Sequence, residues 1–315
     1  MFEEVFAFIA GSKKNWGIYS PYRFLPGISD VKSQNEYIYN KLKQLSVNKN
    51  TIIFKAVVRG LKHYFIVSPL SWDTEYFGFQ NFRIEFIIYD HQLPEVLNIA
   101  IKKFYIFSCK FSKSYFFFDV PAEDYLLVQS LGNTPFKLIE TRLNYILRNL
   151  NIEDNNSYPV RTVREEDISF LKKIAVSSAN PYDRIHADNS FSNTQADEYI
   201  GTFIENAVRG FADVVLVPDL PEVSPFAFLA FNKPVETDNY KIAKLVLAAS
   251  DSSFEKGWLY KLLVEAIRIL QKEGTTHLTT ITQGSNLPAI KSWEKAGFDY
   301  GFCTHIFSFN TIRKN

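Results

Sequence analysis

Apolar residues in the second half of the chain recur with two periods, one near 3.6 residues and one of two. In Gly257–Gly274 (GWLYKLLVEAIRILQKEG), Leu259, Leu262, Leu263, Ala266, Ile267 and Leu270 share a helical face, and Gly274 supplies a left-handed stop. Asn286–Phe298 (NLPAIKSWEKAGF) is a helix with both ends written in. Ser285 or Asn286 caps the start, Pro288 sits in the first turn and Gly297 ends it. Asn286, Ala289 and Trp293 line up on one face, an amide, a small side chain and an indole. REEDISFLKKIA and NTQADEYIGTFIENAVRG read as further helices, the second with Thr194 and Asp197 as a cap pair and Gly210 as its stop. PVRTV, ADVVLVPD, PFAFLAFNK, YKIAKLVLAAS, THLTTITQ and FDYGFCTHIFSF are short apolar runs bounded by turn residues and predict strands. The resulting order, β-α-α-β-β-β-α-β-α-β, predicts a mixed sheet with helices on both faces.

Asn and Asp residues crowd into LRNLNIEDNNSYPVRTV (Leu147–Val163), which is linker chemistry. It places a boundary at about 150–158, between an N-terminal α/β domain over 1–150 and a second domain over 158–315. In the first half, TIIFKAVVRGLKHYFIVSPL predicts a hairpin turning at Arg59-Gly60. LPEVLNIAIKKFYIFSCKF predicts a helix, and SYFFFDV a buried strand. Residues 1–50 carry no assignable pattern. In SWDTEYFGFQ, Trp72 and Phe77 read as core, Gly78 as a turn with positive φ, and Asp73 or Glu75 as turn partners. The half closes on DYLLVQSLGNTPFKLIETRLNYIL, a helix-Gly-strand unit that echoes AIKSWEKAGFDYGFCTHIFSF, with Phe136 opposite Phe298.

At 315 residues the chain exceeds what one compact core usually holds, and 46% hydrophobic content suffices for two. The net charge of +1 provides no basic field for nucleic acid or anionic membrane. Cys109 and Cys303 stand far apart with no Cys/His cluster at metal spacing, so they read as reduced core thiols, and no metal site is expected. The start, MFEEVFAFIAGSKK, has glutamates where a signal peptide needs positive charge, and no stretch approaches a membrane span. A soluble, cytoplasmic protein is expected.

The order of elements and NLPAIKSWEKAGF together resemble the GNAT superfamily of acyl-CoA-dependent N-acetyltransferases over residues 158–309. WDTEYFG (Trp72–Gly78) and YDRIHADNSF (Tyr182–Phe191) look like the TDP-fucosamine acetyltransferases, which acetylate the amine of a nucleotide-linked sugar and carry an extra N-terminal domain. The resemblance implies a mixed, mostly antiparallel sheet with helices on both faces, and a half-GNAT module in the first half. It implies acetyl-CoA as cofactor, with its pyrophosphate on the loop-to-helix turn AASDSSFEKGWLYKLL, where N–H groups and helix dipole favour anions. Phe254, Gly257 and Leu259 take the family's motif positions there, of which Gly257 keeps the pattern, and Lys256 and Trp258 lie beside them. Ser252 and Glu255 have the spacing of a capping box, which would fill the anion's place from within.

The pantetheine arm would follow Leu247, Ala248 and Ala249, whose main-chain N–H groups are the natural oxyanion donors. Asn286 would face the cofactor arm, and Trp293 stands where many members carry an acidic tyrosine. An indole N–H donates a hydrogen bond but is no usable acid near neutral pH. Tyr300 and His305 on the following strand, and Tyr260 on the cofactor helix, are the replacement acids. On the acceptor side, Arg184 would clamp a diphosphate with Asp183 beside it, and His186 or Asp188 would take the ammonium proton. The expected partner is a small acceptor, a nucleotide-sugar, with a homodimer as the candidate assembly. Another small amine as acceptor, or a catalytically silent binding module that lost its acid and its glycine-rich turn, are the alternatives.

Overall fold

The computed structural model describes residues 1–25, 31–152, 154–237 and 240–311. Two compact units emerge, Met1–Thr141 with Cys303–Asn315, and Arg142–Phe302. This division differs from a seam at 150–158, because the chain crosses between units inside two strands.

Unit 1 begins with α1 (Phe2–Ala10) and α2 (Val31–Val47), in the region that carried no sequence assignment. There follow β1 (Ile52–Val58), β2 (Leu61–Pro69), α3 (Ser71–Phe77), β3 (Gln80–Ile88), α4 (Pro94–Ser108), β4 (Ser114–Pro121), α5 (Tyr125–Gly132) and β5 (Lys137–Arg148). The expected hairpin turns at Arg59 and Gly60, with φ of 50° and 80°. The sheet order is β1-β2-β3-β4, antiparallel except for the parallel pair β3/β4. Val5 and Ile9 of α1 with Ile38, Leu42 and Leu45 of α2 pack on Ile66, Phe86 and Ile88, covering one face. Val96, Ala100, Ile101 and Phe104 of α4 cover the other.

Unit 2 contains β6 (Val160–Thr162), α6 (Ile168–Ser177), α7 (Asn193–Asn206), β7 (Val214–Pro218), β8 (Ala227–Thr237), β9 (Tyr240–Ser250), α8 (Trp258–Lys272), β10 (His277–Gln283) and α9 (Leu287–Lys295). The chain ends in β11 (Asp299–Asn310). The sheet order is β10-β9-β8-β7-β6, antiparallel except for the parallel pair β9/β10. On one face lie α8 and α9, with Leu262, Leu263, Ala266, Ile267, Leu270 and Trp293 in the core. On the other lie α6 and α7, with Leu171, Ile174, Ala175 and Ile204 packed against Val217, Phe228 and Ala230.

Apart from α3 between β2 and β3 in the first half and β6 at the start of the second, the two halves repeat one order of elements, two helices, three strands, helix, strand, helix, strand. The last strands are exchanged. In unit 1, β4 pairs with Thr304–Asn310 of β11, and in unit 2, β10 pairs with Arg142–Arg148 of β5. Phe309 thus brings the far end of the chain into the unit 1 core. It stacks on Phe116 with centroids 4.7 Å apart and meets Phe136 edge-on at 4.6 Å.

Several local expectations are corrected. The segment around 150–158 straps along α8: Arg268 donates to the carbonyls of Asp154 and Asn156, and Gln271 to that of Leu150. The cap of α7 is the box of Ser192 with Gln195, not Thr194 with Asp197. Leu259 is half-buried rather than core. Trp72 is 37% exposed and stacks on Tyr76, while Phe77 is buried and Gly78 takes the expected positive φ of 71°. Cys109 is exposed instead of a core thiol, and both cysteines are free. Among the described residues no helix is long and apolar enough to cross a membrane, and no group of His, Cys, Asp and Glu could hold a metal ion.

Two outcomes follow for stability. Phe309→Ala removes a fully enclosed ring and should cost about 3–5 kcal/mol in urea denaturation. His63 is fully buried with Nε2 2.7 Å from His91 Nε2, and burial, then the His91 charge, push it down to about 4. The unfolded chain takes up this proton near pH ~6.5. Stability should therefore be intact above that value and fall as pH drops toward 4, with a weaker pH slope in His63→Leu.

Candidate functional site

In unit 2 the parallel strands β9 and β10 stay together for three register pairs, Ile242–Lys244 against His277–Thr279. Beyond them each strand follows its other neighbour. β9 keeps its pairing with β8 to Ser250, after a bulge that leaves Val246 opposite no partner. β10 keeps its pairing with β5 to Gln283. The facing edges are thus left without ladder bonds to each other, in the middle of a sheet where backbone groups are normally paired. Exposure agrees with an open slot. Val246, Leu247 and Ala248 are half-buried and Ile281 is 41% exposed, on central strands that would otherwise be covered.

Beneath the slot α8 starts. Gly257 holds φ at 95°, a left-handed conformation that suits glycine, and no side chain caps the helix. The capping box of Ser252 and Glu255 does not form. Glu255 instead accepts from the Trp258 indole at 3.3 Å and from Lys261 Nζ at 3.2 Å, to the side of the helix start. Asp251 accepts from the Ser253 hydroxyl and N–H, and these bonds hold its carboxyl below the usual range. Phe254 stacks on Phe226 with centroids 4.4 Å apart, and Trp258 meets Phe226 edge-on, so the turn has an aromatic floor. Lys256 is exposed on the same turn. The first turn of α8 therefore offers main-chain donors with Lys256 beside them, which is anion-binding chemistry.

The loop after α6 reaches the ends of both parted strands. Ser178 Oγ donates to the Ser250 carbonyl at 3.0 Å, and Asn180 Nδ2 donates to Gln283 Oε1 at 3.1 Å. This tether places DRIHAD at the mouth. His186 Nδ1 lies 2.6 Å from Asp183 Oδ2, and Nε2 lies 3.1 Å from Asp197 Oδ1. Asp183 also accepts from the N–H groups of Ile185 and His186. Both ring nitrogens are thus taken up by carboxylates of the loop and of α7. The buried Asp188 accepts from the Ser190 N–H and hydroxyl. In this geometry His186 and Asp188 organise the loop that carries Arg184.

The α9 helix forms as its sequence predicts. Asn286 is the cap, its side chain accepting from the Ala289 N–H, and Gly297 holds φ at 85°. Trp293 is buried beside Phe298, and its Nε1 has no hydrogen-bond partner among the described residues. Tyr300 is 55% exposed, edge-on to Tyr145 in unit 2. His305 belongs to unit 1, where Nδ1 lies 3.1 Å from Thr141 Oγ1 and burial lowers its pKa. Burial and Asp154 raise Tyr260 above the ordinary phenol value. The structure thus gathers Leu247–Ala249, Gly257, Trp258, Leu259 and Asn286 around one slot and its base, with the Asp183–Asp188 loop at its mouth. Sequence reasoning missed the Asn180–Gln283 tether, because an amide–amide contact a hundred positions apart leaves no local signal.

No family model matches the chain, and no curated protein matches it. Solved structures do. A GCN5-related N-acetyltransferase from Sphaerobacter thermophilus superposes with a TM-score of 0.52 at 9% identity, over 81% of this chain and 82% of that one. The fold is GNAT-like. An acetyltransferase of the GNAT family from Colwellia psychrerythraea (TM-score 0.45, 11% identity, 91% of this chain and 97% of that one) is a looser likeness. So is a tandem GNAT protein from the clavulanic acid biosynthesis pathway (TM-score 0.46, 12% identity, 85% of each chain). A mixed sheet with helices on both faces is what the element order predicted, and a GNAT-like one is what the resemblance implied.

Trp293 separates packing from chemistry. Trp293→Ala should cost about 3–5 kcal/mol of stability in urea denaturation. Trp293→Phe keeps an aromatic ring and drops an unpartnered donor, so it should cost much less.

Proposed function

We propose that unit 2 is an acyl-CoA-dependent N-acyltransferase module, with acetyl-CoA as donor. The observation that carries this reading is the parting of β9 from β10 above an uncapped helix start. A slot with unpaired main-chain groups on apolar walls suits an extended chain that itself bears amides, since each amide finds a partner as a strand would. Pantetheine is such a chain. Its diphosphate end is an anion, and the bare N–H groups of α8 with Lys256 nearby suit one. Of the Leu247–Ala249 N–H groups, those that point away from β8 would then hold the thioester oxygen, each donor typically being worth about 3 kcal/mol in the transition state. Rate would come chiefly from holding amine and thioester together, with the amine proton leaving to solvent.

For the acceptor we propose the amine of a nucleotide-linked deoxy-aminosugar. The support is the resemblance of WDTEYFG and YDRIHADNSF, and the guanidinium of Arg184, half-buried on a loop tethered to the strand ends, whose planar fork suits a diphosphate. A second reading, a silent module that binds acyl-CoA without turning it over, is favoured by the unacidic Trp293 and by a His186 engaged at both nitrogens.

Isothermal calorimetry should show CoA binding near one per unit 2, and no heat at millimolar CoA would end the proposal. Gly257→Val forces a branched side chain into the left-handed region and costs at least about 1–2 kcal/mol there. It should weaken CoA by tenfold or more while the far-UV spectrum is kept. Free-thiol detection with TDP- and UDP-aminosugars and polyamines separates transferase from silent module. Arg184→Ala should raise the acceptor KM more than the acetyl-CoA KM, and an equal rise in both would remove its assigned role.

A further inference from the structure

The repeat of elements places a second strand parting in unit 1. There β3 and β4 pair in parallel over Gln80–Ile84 and Ser114–Phe118, and then separate. β3 follows β2 to Ile88 after a bulge that leaves Glu85 opposite no partner, and β4 follows β11 to Pro121. The parting resembles that of unit 2, but its walls are covered. Phe86, Ile87, Ile88, Tyr89 and Val120 are each at most 4% exposed.

The cover at the mouth is the segment after α1, and its centre is Lys14. Lys14 Nζ lies 2.7 Å from Asp124 Oδ2, with side-chain exposures of 12% and 4%. The same ammonium sits 3.5 Å from the centroid of Tyr89 and 4.9 Å from the ring of Trp16. The hydroxyls of Tyr19 and Tyr89 donate to Asp124 at 2.6 Å each, one to each carboxylate oxygen. Lys13 N–H donates to Asp90, and Arg23 pairs with Glu123, so the segment is fastened on both sides of Lys14.

Asp124 occupies the cap position of α5 yet makes no capping bond. At the matching position of unit 2, Asn286 does cap its helix. A carboxylate that forgoes its own helix N–H groups and is oriented by two phenols, with two aromatic rings around the ammonium it binds, is built to hold a cation. An alkyl chain ending in an ammonium fits the buried surroundings, where a bare metal ion would lack oxygen ligands.

We propose that the mouth of unit 1 is a preformed site for a primary alkylammonium group, occupied in cis by Lys14. The N-terminal segment is held down as a cover by that occupancy. Any ligand that displaces it must present the same chemistry, a primary ammonium on a flexible alkyl stem. The site is independent of acyl-CoA binding by unit 2.

The test is chemical rescue. Lys14→Ala removes the atoms of n-propylammonium from the site. The variant should unfold at lower temperature than the wild type. Added n-propylammonium should raise its Tm saturably, while tetramethylammonium at equal ionic strength does not, and the wild type shows no such rise. In Lys14→Ala/Asp124→Asn the propylammonium dependence should vanish. If Lys14→Ala does not fold alone, its refolding yield with and without propylammonium is read in the same way. A Lys14→Ala protein as stable as the wild type, an equal response in both, or a response that persists without the Asp124 carboxylate would overturn the proposal.

Discussion

A β-strand has two edges, and a central strand held over its whole length on one side cannot also follow a neighbour that turns away. That constraint organises this protein. β9 is committed to β8, through the bulge at Val246, and β10 is committed to β5. Their own pairing lasts only while the two commitments run side by side. The slot between them is therefore imposed by the outer pairings, not by any residue that lines it. The exchange of last strands is what sets those pairings, since β10 finds its full-length partner in Arg142–Arg148 instead of in the strand that follows it.

The same constraint acts in unit 1, and the two outcomes show what an open slot costs. Apolar surface left in water forgoes roughly 25 cal/mol per Å². In unit 1 that surface is recovered by α1, α2 and the segment carrying Trp16, which bury Phe86, Ile88 and Tyr64 completely or nearly so. In unit 2 the matching loop, after α6, reaches the mouth but ties down only to the strand ends at Ser250 and Gln283, and Val246–Ala248 and Ile281 stay partly exposed. One half of the repeat has spent its slot on stability, and the other keeps it available.

Much of unit 2 was legible because its signals are local. Gly274 and Gly297 end helices where the periodic residues end, and Asn286 caps where it stands. The pairing of the last strands was not legible. Two helix-Gly-strand units with similar sequences give the same local signal whichever sheet their strands enter, and neighbours in sequence are the default partners. The Ser252–Glu255 box failed for a different reason. Its spacing presumes a helix starting just after Ser252, whereas the left-handed Gly257 delays the start to Trp258. Residues 1–50 did hold a readable signal in the i, i+4 pairs Val5/Ile9 and Ile38/Leu42, diluted by polar neighbours. The polar cluster of Asp183–Asp188 was visible in composition, but the contacts its side chains make were not. Asp183 and Asp197 bracket His186 only because α7 begins where it does, and that placement turns a candidate base into a brace.

Under the proposed acyltransferase reading, an indole at position 293 limits what the site can ask of its side chains. A thioester already has a good leaving group, and an amine held against it gains most of its advantage from position and from main-chain donors, neither of which depends on residue type. Loss of a proton donor at such a site slows the reaction by ~10²–10⁴ and leaves the positional part intact. Trp293 fits that division. It fills the core beneath α9 as an aromatic must, and under the proposed reading the parted strands would carry the positional part of the reaction without an acid from this side chain.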